Sequence, residues 1–335
     1  MKKIIMSINN NLKKYIYIYN LFFVLLIYLY INEKKIKETK KFTSPRLSNK
    51  DDYENKKFVV IERLCPHCGL FSFFIVSLGC IHSYLIQGYI PIIDLKSFPN
   101  IINGFNTSNS NYWELFFDQP FGYALEEVLK KAKYIKRVKC LDCKPRPDDK
   151  SMLLNEVKKN FWHNFALKYL PIKKEIMDLS NKLMNKLFQN SKNILGVLTR
   201  GTDYISKRPK YHPIPPDIHD LIRDVKEMDK KYQYDYIFFT TEDENLREIF
   251  VKNFSDKIRQ IKPKIKINYD YSGKKFLGFN ENIKGNIEFN KIYLLNIIIL
   301  SKCLDIATAR CSGTAGIFIL TDGFRNIKIY DLGVY

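Results

Sequence analysis

From about residue 57 onward, short apolar runs alternate with longer stretches of helical spacing, a pattern that predicts strand and helix in turn. KFVVIE (57–62) reads as a buried strand, LFSFFIVSLGCIHSYLIQGY (70–89) as a buried helix, and IPIID (90–94) as a second strand closed by Asp94. GYALEEVLKKA (122–132) has helical spacing and YIKRV (134–138) is extended. A Leu-, Met-, Lys- and Asn-rich stretch over 151–190 predicts a long helix and marks the boundary between two halves. The second half repeats the rhythm. NILGVLT (193–199) is a strand, and Pro209, Pro213, Pro215 and Pro216 precede a helix over 217–232. YIFFTT (236–241) leads into EDENLREIFVKNF, a helix whose acidic first turn suits its dipole. A strand over 264–269, a helix over 287–302, the strand LDIATA (304–309), the turn RCSGTAG with a helix, and a last strand over 327–332 complete the series. Such alternation builds doubly wound α/β sheets, and no short-period repeat is visible.

The N-terminus follows a different pattern. YIYIYNLFFVLLIYLYI (15–31) carries no charge and is flanked by Lys13 and Lys14 on one side and by Glu33, Lys34, Lys35 and Lys37 on the other. It predicts a single-pass anchor, with tyrosines suited to the membrane interfaces and no small-residue cleavage site after it. Lysines on both sides leave the orientation open: a Golgi or endoplasmic-reticulum lumen in a eukaryote, the cytoplasmic face in a bacterium. The predicted organisation is a tail and anchor over 1–31, a stem over 32–56, a first α/β domain over 57–190 and a second over 191–335.

Composition narrows the class. Hydrophobic residues make up 46% and aromatic residues 14%, enough for packed cores and against disorder. Thirteen Lys/Arg against five Asp/Glu in residues 1–57 place +8 of the +20 net charge there and spread +12 over the rest. No basic helix or basic stripe interleaved with aromatics stands out, so nucleic acid is not the expected partner. A membrane-tethered binder of anionic partners is the alternative that the charge supports.

Candidate chemistry sits after three of the predicted strands. Open parallel sheets bind ligands beyond the carboxyl ends of their strands, where loop amides and helix N-termini converge. Arg200 and Gly201 follow one strand, Glu242 and Asp243 the next, and Ser312, Gly313 and Thr314 a third, just ahead of a helix. An arginine can fork two hydrogen bonds to a phosphate, and a Ser-Gly-Thr turn offers hydroxyl and backbone N–H groups to an anion. A carboxylate can accept from ribose hydroxyls or from the guanine edge. Together they describe a nucleotide-diphosphate pocket. Taken singly, Arg200 and Asp203 can form a local salt bridge, Glu242 and Asp243 can serve a helix N-terminus, and Ser312 to Gly316 can be a capping turn.

The same residues resemble a family. GVLTRGTDY, then HPIPP, FFTTEDENL, KGNIEFNKIYLLNIIILSKC and SGTAG look like the ordered motif set of the GDP-fucose-dependent fucosyltransferase superfamily, with its α-1,2, α-1,6 and protein O-fucosyltransferases and related enzymes of polysaccharide synthesis. GLFSFFIVSLGCIHSYLIQGYIPIIDL and NYWELFFDQP are similar to its N-terminal blocks, so the resemblance runs from about Cys68 to Tyr335. It implies a GT-B architecture: two Rossmann-like domains facing across a cleft, the donor nucleotide mainly on the second. Arg200 would hold the β-phosphate of a GDP-sugar, Gly201 would join it in binding the nucleotide, and Ser312, Gly313 and Thr314 would contact the diphosphate. Glu242 or Asp243 would take guanine or ribose. Arginine charge would replace a metal, so no cofactor is expected for catalysis. The acceptor, a glycan or a protein, would lie against the first domain, with Asp94, Glu114 and Asp118 as contacts. Asp203, His212 and Glu114 are the candidates for general base. The chain departs from better-known members at Leu198, where they carry a histidine, and at Gly201, where many carry a second basic residue. A catalytically inactive carbohydrate- or protein-binding relative is a further alternative.

The cysteines carry a separate possibility. CPHC (65–68) and CLDC (140–143) are two C-x₂-C pairs, so Cys65, Cys68, Cys140 and Cys143 form a potential structural zinc set, a disulfide framework or unlinked thiols. Cys80, Cys303 and Cys311 read as buried thiols. Asn106 and Asn253 head N-x-S sequons that matter in a lumen only. His82 reads as a core residue, His163 and His219 lie on helical faces, and His212 is the histidine placed to touch a ligand.

Overall fold

Eight strands among the described residues assemble into two all-parallel sheets. The computed structural model describes residues 53–335 except 64, 106–109, 141–142, 144, 148–154, 265–268, 270, 273–276 and 278–279. The predicted anchor and nearly all of the stem therefore lie outside the described residues, as does Asn106. Among the described residues no helix is long and apolar enough to cross a membrane.

The first sheet has the order β2-β1-β3, from β1 (Lys57–Arg63), β2 (Ile90–Asp94) and β3 (Tyr134–Cys140). Phe58, Val59 and Val60 are fully buried, as expected where helices cover both faces of a parallel sheet. The edge strand β3 is largely open and carries Lys136, Arg137 and Lys139. Helix α1 (Leu70–Leu85) is apolar nearly all round and buried along most of its length. It stops short of the predicted residue 89 because Gly88, at φ 78°, turns the chain into β2. Helix α2 (Leu125–Lys131) precedes β3.

The long helix predicted over 151–190 is two helices, α3 (Glu156–Tyr169) and α4 (Lys174–Phe188). Pro171 explains the break: it has no N–H to donate, and it holds Leu170 before it out of the helical region, at φ −137° and ψ 60°. α3 is N-capped by the Asn155 side chain, which accepts from the Lys158 N–H.

The second sheet has the order β6-β5-β4-β7-β8. Its strands are β4 (Ile194–Leu198), β5 (Tyr236–Thr240), β6 (Ile258–Arg259), β7 (Asp305–Ala309) and β8 (Asn326–Tyr330). β4 and β7 are buried at every position. β6 is a two-residue strand upstream of the predicted 264–269, a stretch that falls mostly outside the described residues. A one-turn helix α5 (Asp203–Ser206) follows β4, α6 (Ile218–Tyr232) leads to β5 and α7 (Glu244–Phe254) leaves it. α8 (Ile287–Ser301) and α9 (Ser312–Leu320) flank β7. Asp217 caps α6 by accepting from the His219 N–H. α9 packs on α1 so closely that a Cβ on Gly316 would stand 2.3 Å from the Phe71 ring. The His163 Nδ1 lies 2.8 Å from the Ile319 carbonyl oxygen, fixing α3 to the same helix.

Candidate active site

The order of the second sheet determines where a ligand can enter. From β4 the chain builds outward to β5 and β6, then crosses to the other side of β4 to lay down β7 and β8. The loops leaving β4 and β7 thus diverge, opening the crevice in which α/β sheets hold their ligands. Register places Leu198 beside Thr240 on one side and Thr308 on the other, so the three predicted loops emerge side by side.

Arg200 is the centre of this group, with its side chain 21% exposed. Its Nη2 lies 3.4 Å from Asp203 Oδ1 and its Nε 3.4 Å from Glu242 Oε1. Both are long beside the 2.7–2.9 Å, roughly, of a charge-assisted hydrogen bond, and the buried Nε has no hydrogen-bond acceptor among the described residues. The guanidinium also stands 4.5 Å from the centre of the Tyr204 ring, a cation–π contact. Burial works against the arginine's charge, but Glu242, Tyr204 and Asp203 outweigh it and raise its pKa further. Tyr204 and Tyr293 are themselves pushed up by burial, which keeps both phenols neutral.

The carboxylates hold the loop. Glu242 accepts from the Gly201 N–H at 2.9 Å and from the Thr202 hydroxyl at 3.2 Å. Asp243 accepts from the Thr202 N–H at 2.7 Å through one oxygen, and through the other from the Asn245 and Leu246 N–H groups. It is therefore the N-cap of α7 as well as a clamp on the arginine loop. Tyr271 adds a hydrogen bond to Asp243, and burial first, then that bond, raises the phenol's pKa. Two backbone features make the clamp fit. Thr202 sits at φ 43°, ψ −115°, a strained conformation for a β-branched residue. Gly201 must lack a side chain, since a Cβ there would lie 2.3 Å from Asp243 Oδ2. Asp203 accepts from Arg200, from the Thr202 hydroxyl and from the Leu277 N–H, which ties the loop to the segment near residue 277.

Ser312 opens α9 with an exposed side chain, whereas Gly313 and Thr314 are buried. The Thr314 hydroxyl bonds the Ala309 carbonyl and faces the Thr308 hydroxyl at 3.0 Å, so it is turned inward. A Cβ on Gly313 would meet the Tyr293 hydroxyl at 2.7 Å. Tyr293 and Tyr204, which share charge interactions with Arg200 and Cys311, were not singled out from sequence. Tyr204 stands four residues past Arg200, in α5, a local signal, whereas Tyr293 is brought in by α8 from 93 residues away.

His212 is exposed and meets the Tyr204 ring edge-on at 5.5 Å between centres. Its Nδ1 faces the Lys210 carbonyl at 3.2 Å. A carbonyl can only accept, so Nδ1 carries the proton of the neutral ring and Nε2 keeps its lone pair. The end of the chain pins this loop: Tyr335 N–H donates to the His212 carbonyl and its own carbonyl accepts from Tyr211 N–H.

The acceptor-side candidates are not gathered in this group. Asp94 is fully buried at the end of β2, where Oδ1 accepts from the Lys96 and Ser97 N–H groups at 2.7 and 2.9 Å. Glu114 Oε1 accepts from Asn111, from Gln119 at 2.8 Å and from the Leu125 N–H, which makes it a structural hub. Asp118 is half-exposed and ion-paired to Lys173 at 2.8 Å.

The cysteines are arranged differently from the expected set of four. Cys65 and Cys68 are bonded to each other in a disulfide, and Cys140 and Cys143 turn to Cys80 instead. Cys65 and Cys68 thus have no thiolate to offer a metal in this structure.

No family model matches the sequence, and no curated protein does. Solved structures do. The chain is similar to the NodZ α-1,6-fucosyltransferase soaked with GDP-fucose, at 13% identity and a TM-score of 0.46, over 83% of this chain and 96% of that one. It is similar to fucosyltransferase NodZ from Bradyrhizobium at 14% and 0.46, over 79% and 94%. POFUT1 in complex with GDP is similar at 9% and 0.46, over 83% and 100%. At such identities the role of each residue in this chain rests on the site itself.

Proposed function

We propose that this chain is a membrane-anchored glycosyltransferase of GT-B form that transfers fucose from GDP-fucose to a glycan or protein acceptor, with inversion and without a metal. The observation that carries this reading is Arg200. Its guanidinium stands at the switch-point crevice with long contacts to its carboxylates and a buried Nε–H that has no acceptor among the described residues. An unsatisfied buried donor is costly, and a diphosphate oxygen would satisfy it.

In this reading an acceptor hydroxyl attacks the anomeric carbon, the bond from that carbon to the β-phosphate oxygen breaks, and the electron pair leaves on GDP. Arg200 meets the growing phosphate charge in a partly desolvated setting, where a fixed cation is worth most. Ser312 and the first N–H groups of α9 add donors to the diphosphate. Glu242 and Asp243 hold the arginine loop, and Asp203 orients Arg200. The acceptor proton leaves to the Nε2 of His212. The motifs that resemble the fucosyltransferase superfamily support the choice of GDP and of fucose. The apolar run over 15–31 supports the anchor.

The test is a calorimetric titration of the full-length chain in detergent with GDP, UDP and CDP, repeated on Arg200→Ala. The expected result is selective GDP binding that the substitution weakens at least a hundredfold, followed by transfer activity with GDP-fucose. Well-folded protein that binds no nucleotide would overturn the reading. GDP binding without turnover on any acceptor, water included, would favour an inactive binding module.

A further inference from the structure

The C-terminal end of the first sheet holds a second site, built from sulfur. Cys80 comes from the middle of α1, Cys140 ends β3, and Cys143 lies in the loop beyond, 60 and 63 residues from Cys80. Their Sγ atoms all lie within 4.8 Å of one another, and Cys80 and Cys140 are 2.9 Å apart. The Ser83 hydroxyl, one turn along α1 from Cys80, faces the Cys143 Sγ at 3.5 Å. The packing around the trio depends on a bare backbone. A Cβ on Gly79 would stand 2.8 Å from the Pro145 carbonyl oxygen, 2.9 Å from the Arg146 Cβ and 3.1 Å from the Cys143 carbonyl oxygen. With glycine there, the loop settles onto α1 and carries Cys143 to Cys80.

We propose that Cys80, Cys140 and Cys143 bind one zinc ion as three thiolates. Tetrahedral zinc with bonds of about 2.3 Å sets sulfurs about 3.8 Å apart, within reach of this trio by small side-chain adjustments. Soft thiolates select zinc over magnesium or calcium. Binding releases the thiol protons to solvent and leaves a fourth position for water. His82, two residues along α1, faces the rings of Phe161, Trp162 and Phe165 and is not among the converging atoms. Cys80 is fully buried, whereas Cys140 and Cys143 are partly exposed, so an ion reaches the trio from their side. The disulfide between Cys65 and Cys68 removes those two from competition for the ion. The site ties β3 and the following loop to α1, and it is independent of the donor pocket.

The test uses the full-length chain purified under mild reduction. Zinc is measured by elemental mass spectrometry after dialysis, in the wild type, in Cys80→Ser, in Cys143→Ser and in Cys303→Ser as a buried-thiol control. One zinc per chain in the wild type and the control, with at least a tenfold loss in the two cluster variants, is the expected result. A wild type without stoichiometric zinc after metal titration, or a Cys80–Cys140 disulfide in a non-reduced digest, overturns it. Should the variants misfold, cobalt substitution of the wild type decides: thiolate-to-cobalt charge-transfer bands with tetrahedral ligand-field absorption support the site, and their absence refutes it.

Discussion

The second sheet carries an arginine–carboxylate cluster at each end, and the two are built in opposite ways. At the start of β7, the fully buried Asp305 receives Arg325 in a fork at 3.1 and 2.7 Å, the Asn326 N–H at 2.9 Å, the Asn326 side chain and the Tyr234 hydroxyl. At the carboxyl end, Arg200 has two contacts of 3.4 Å and a buried Nε–H without an acceptor among the described residues. The tight cluster fills its carboxylate with protein donors, while the loose one leaves a buried donor without an acceptor among the described residues. In the proposed function, distance and saturation, more than residue type, separate a structural ion pair from a binding site. The fold supplies both ends of the sheet, and function resides in how one of them is furnished.

The largest expected effect tests the tight end. Burial pushes the Asp305 carboxyl up, but hydrogen bonds from Arg325, Tyr234 and Asn326 together hold it below its ordinary value of 3.8. A carboxylate with a depressed folded pKa contributes its stability above the unfolded value and loses it as pH falls through the folded one. Asp305→Asn is expected to cost about 3 kcal/mol at pH 7 by urea denaturation, with the deficit shrinking below about pH 4. GDP affinity of the remaining folded protein should not move. A loss of GDP binding alongside full stability would reverse the roles assigned to the two clusters.

Next in size is a substitution at the loose end that touches no ligand. In Gly201→Ala the new Cβ would collide with Asp243, so the loop from Arg200 to Thr202 must shift. A displacement of about 1 Å at a positioned group costs on the order of 100-fold in rate, so kcat should fall by that much while the denaturation midpoint moves little. Unchanged kcat would mean that the clamp between Asp243 and Thr202 does not set the arginine's position.

The strands were the most legible part of the molecule. ILGVL sits in the middle of a parallel sheet and reads as an unbroken apolar run because both faces are covered, and DIATA beside it is buried throughout although it carries Asp305 and Thr308. β6 was not legible, since a strand of two residues has no periodicity to detect. The break between α3 and α4 was written in the sequence at Pro171, and helical composition on either side masked it. The three loops at the carboxyl ends were legible because each follows a readable strand. The division of labour within them was not. Asp243 is committed to capping α7, one of the two roles that its place just ahead of a helical stretch left open. The convergence of Cys80 with Cys140 and Cys143 joins segments 60 residues apart, which no spacing rule reports.

The smallest effect separates two neighbours in one motif. Ser312 is exposed at the first turn of α9, whereas Thr314 spends its hydroxyl on the Ala309 carbonyl beneath the same turn. If α9 presents its N-terminus to the diphosphate, Ser312→Ala removes one donor from the ligand and should weaken GDP binding roughly fivefold to tenfold, about 1 kcal/mol, without changing stability. Thr314→Val keeps the shape and takes from the Ala309 carbonyl one of its two hydroxyl donors, the Thr308 hydroxyl remaining at 3.1 Å, so it should cost about 1 kcal/mol of stability and leave GDP affinity within about twofold. Calorimetry with GDP and urea denaturation on both variants give the four numbers. The opposite pattern, with Thr314→Val weakening GDP binding and Ser312→Ala silent, would place the diphosphate deeper in the crevice, against the Thr308 and Thr314 hydroxyls.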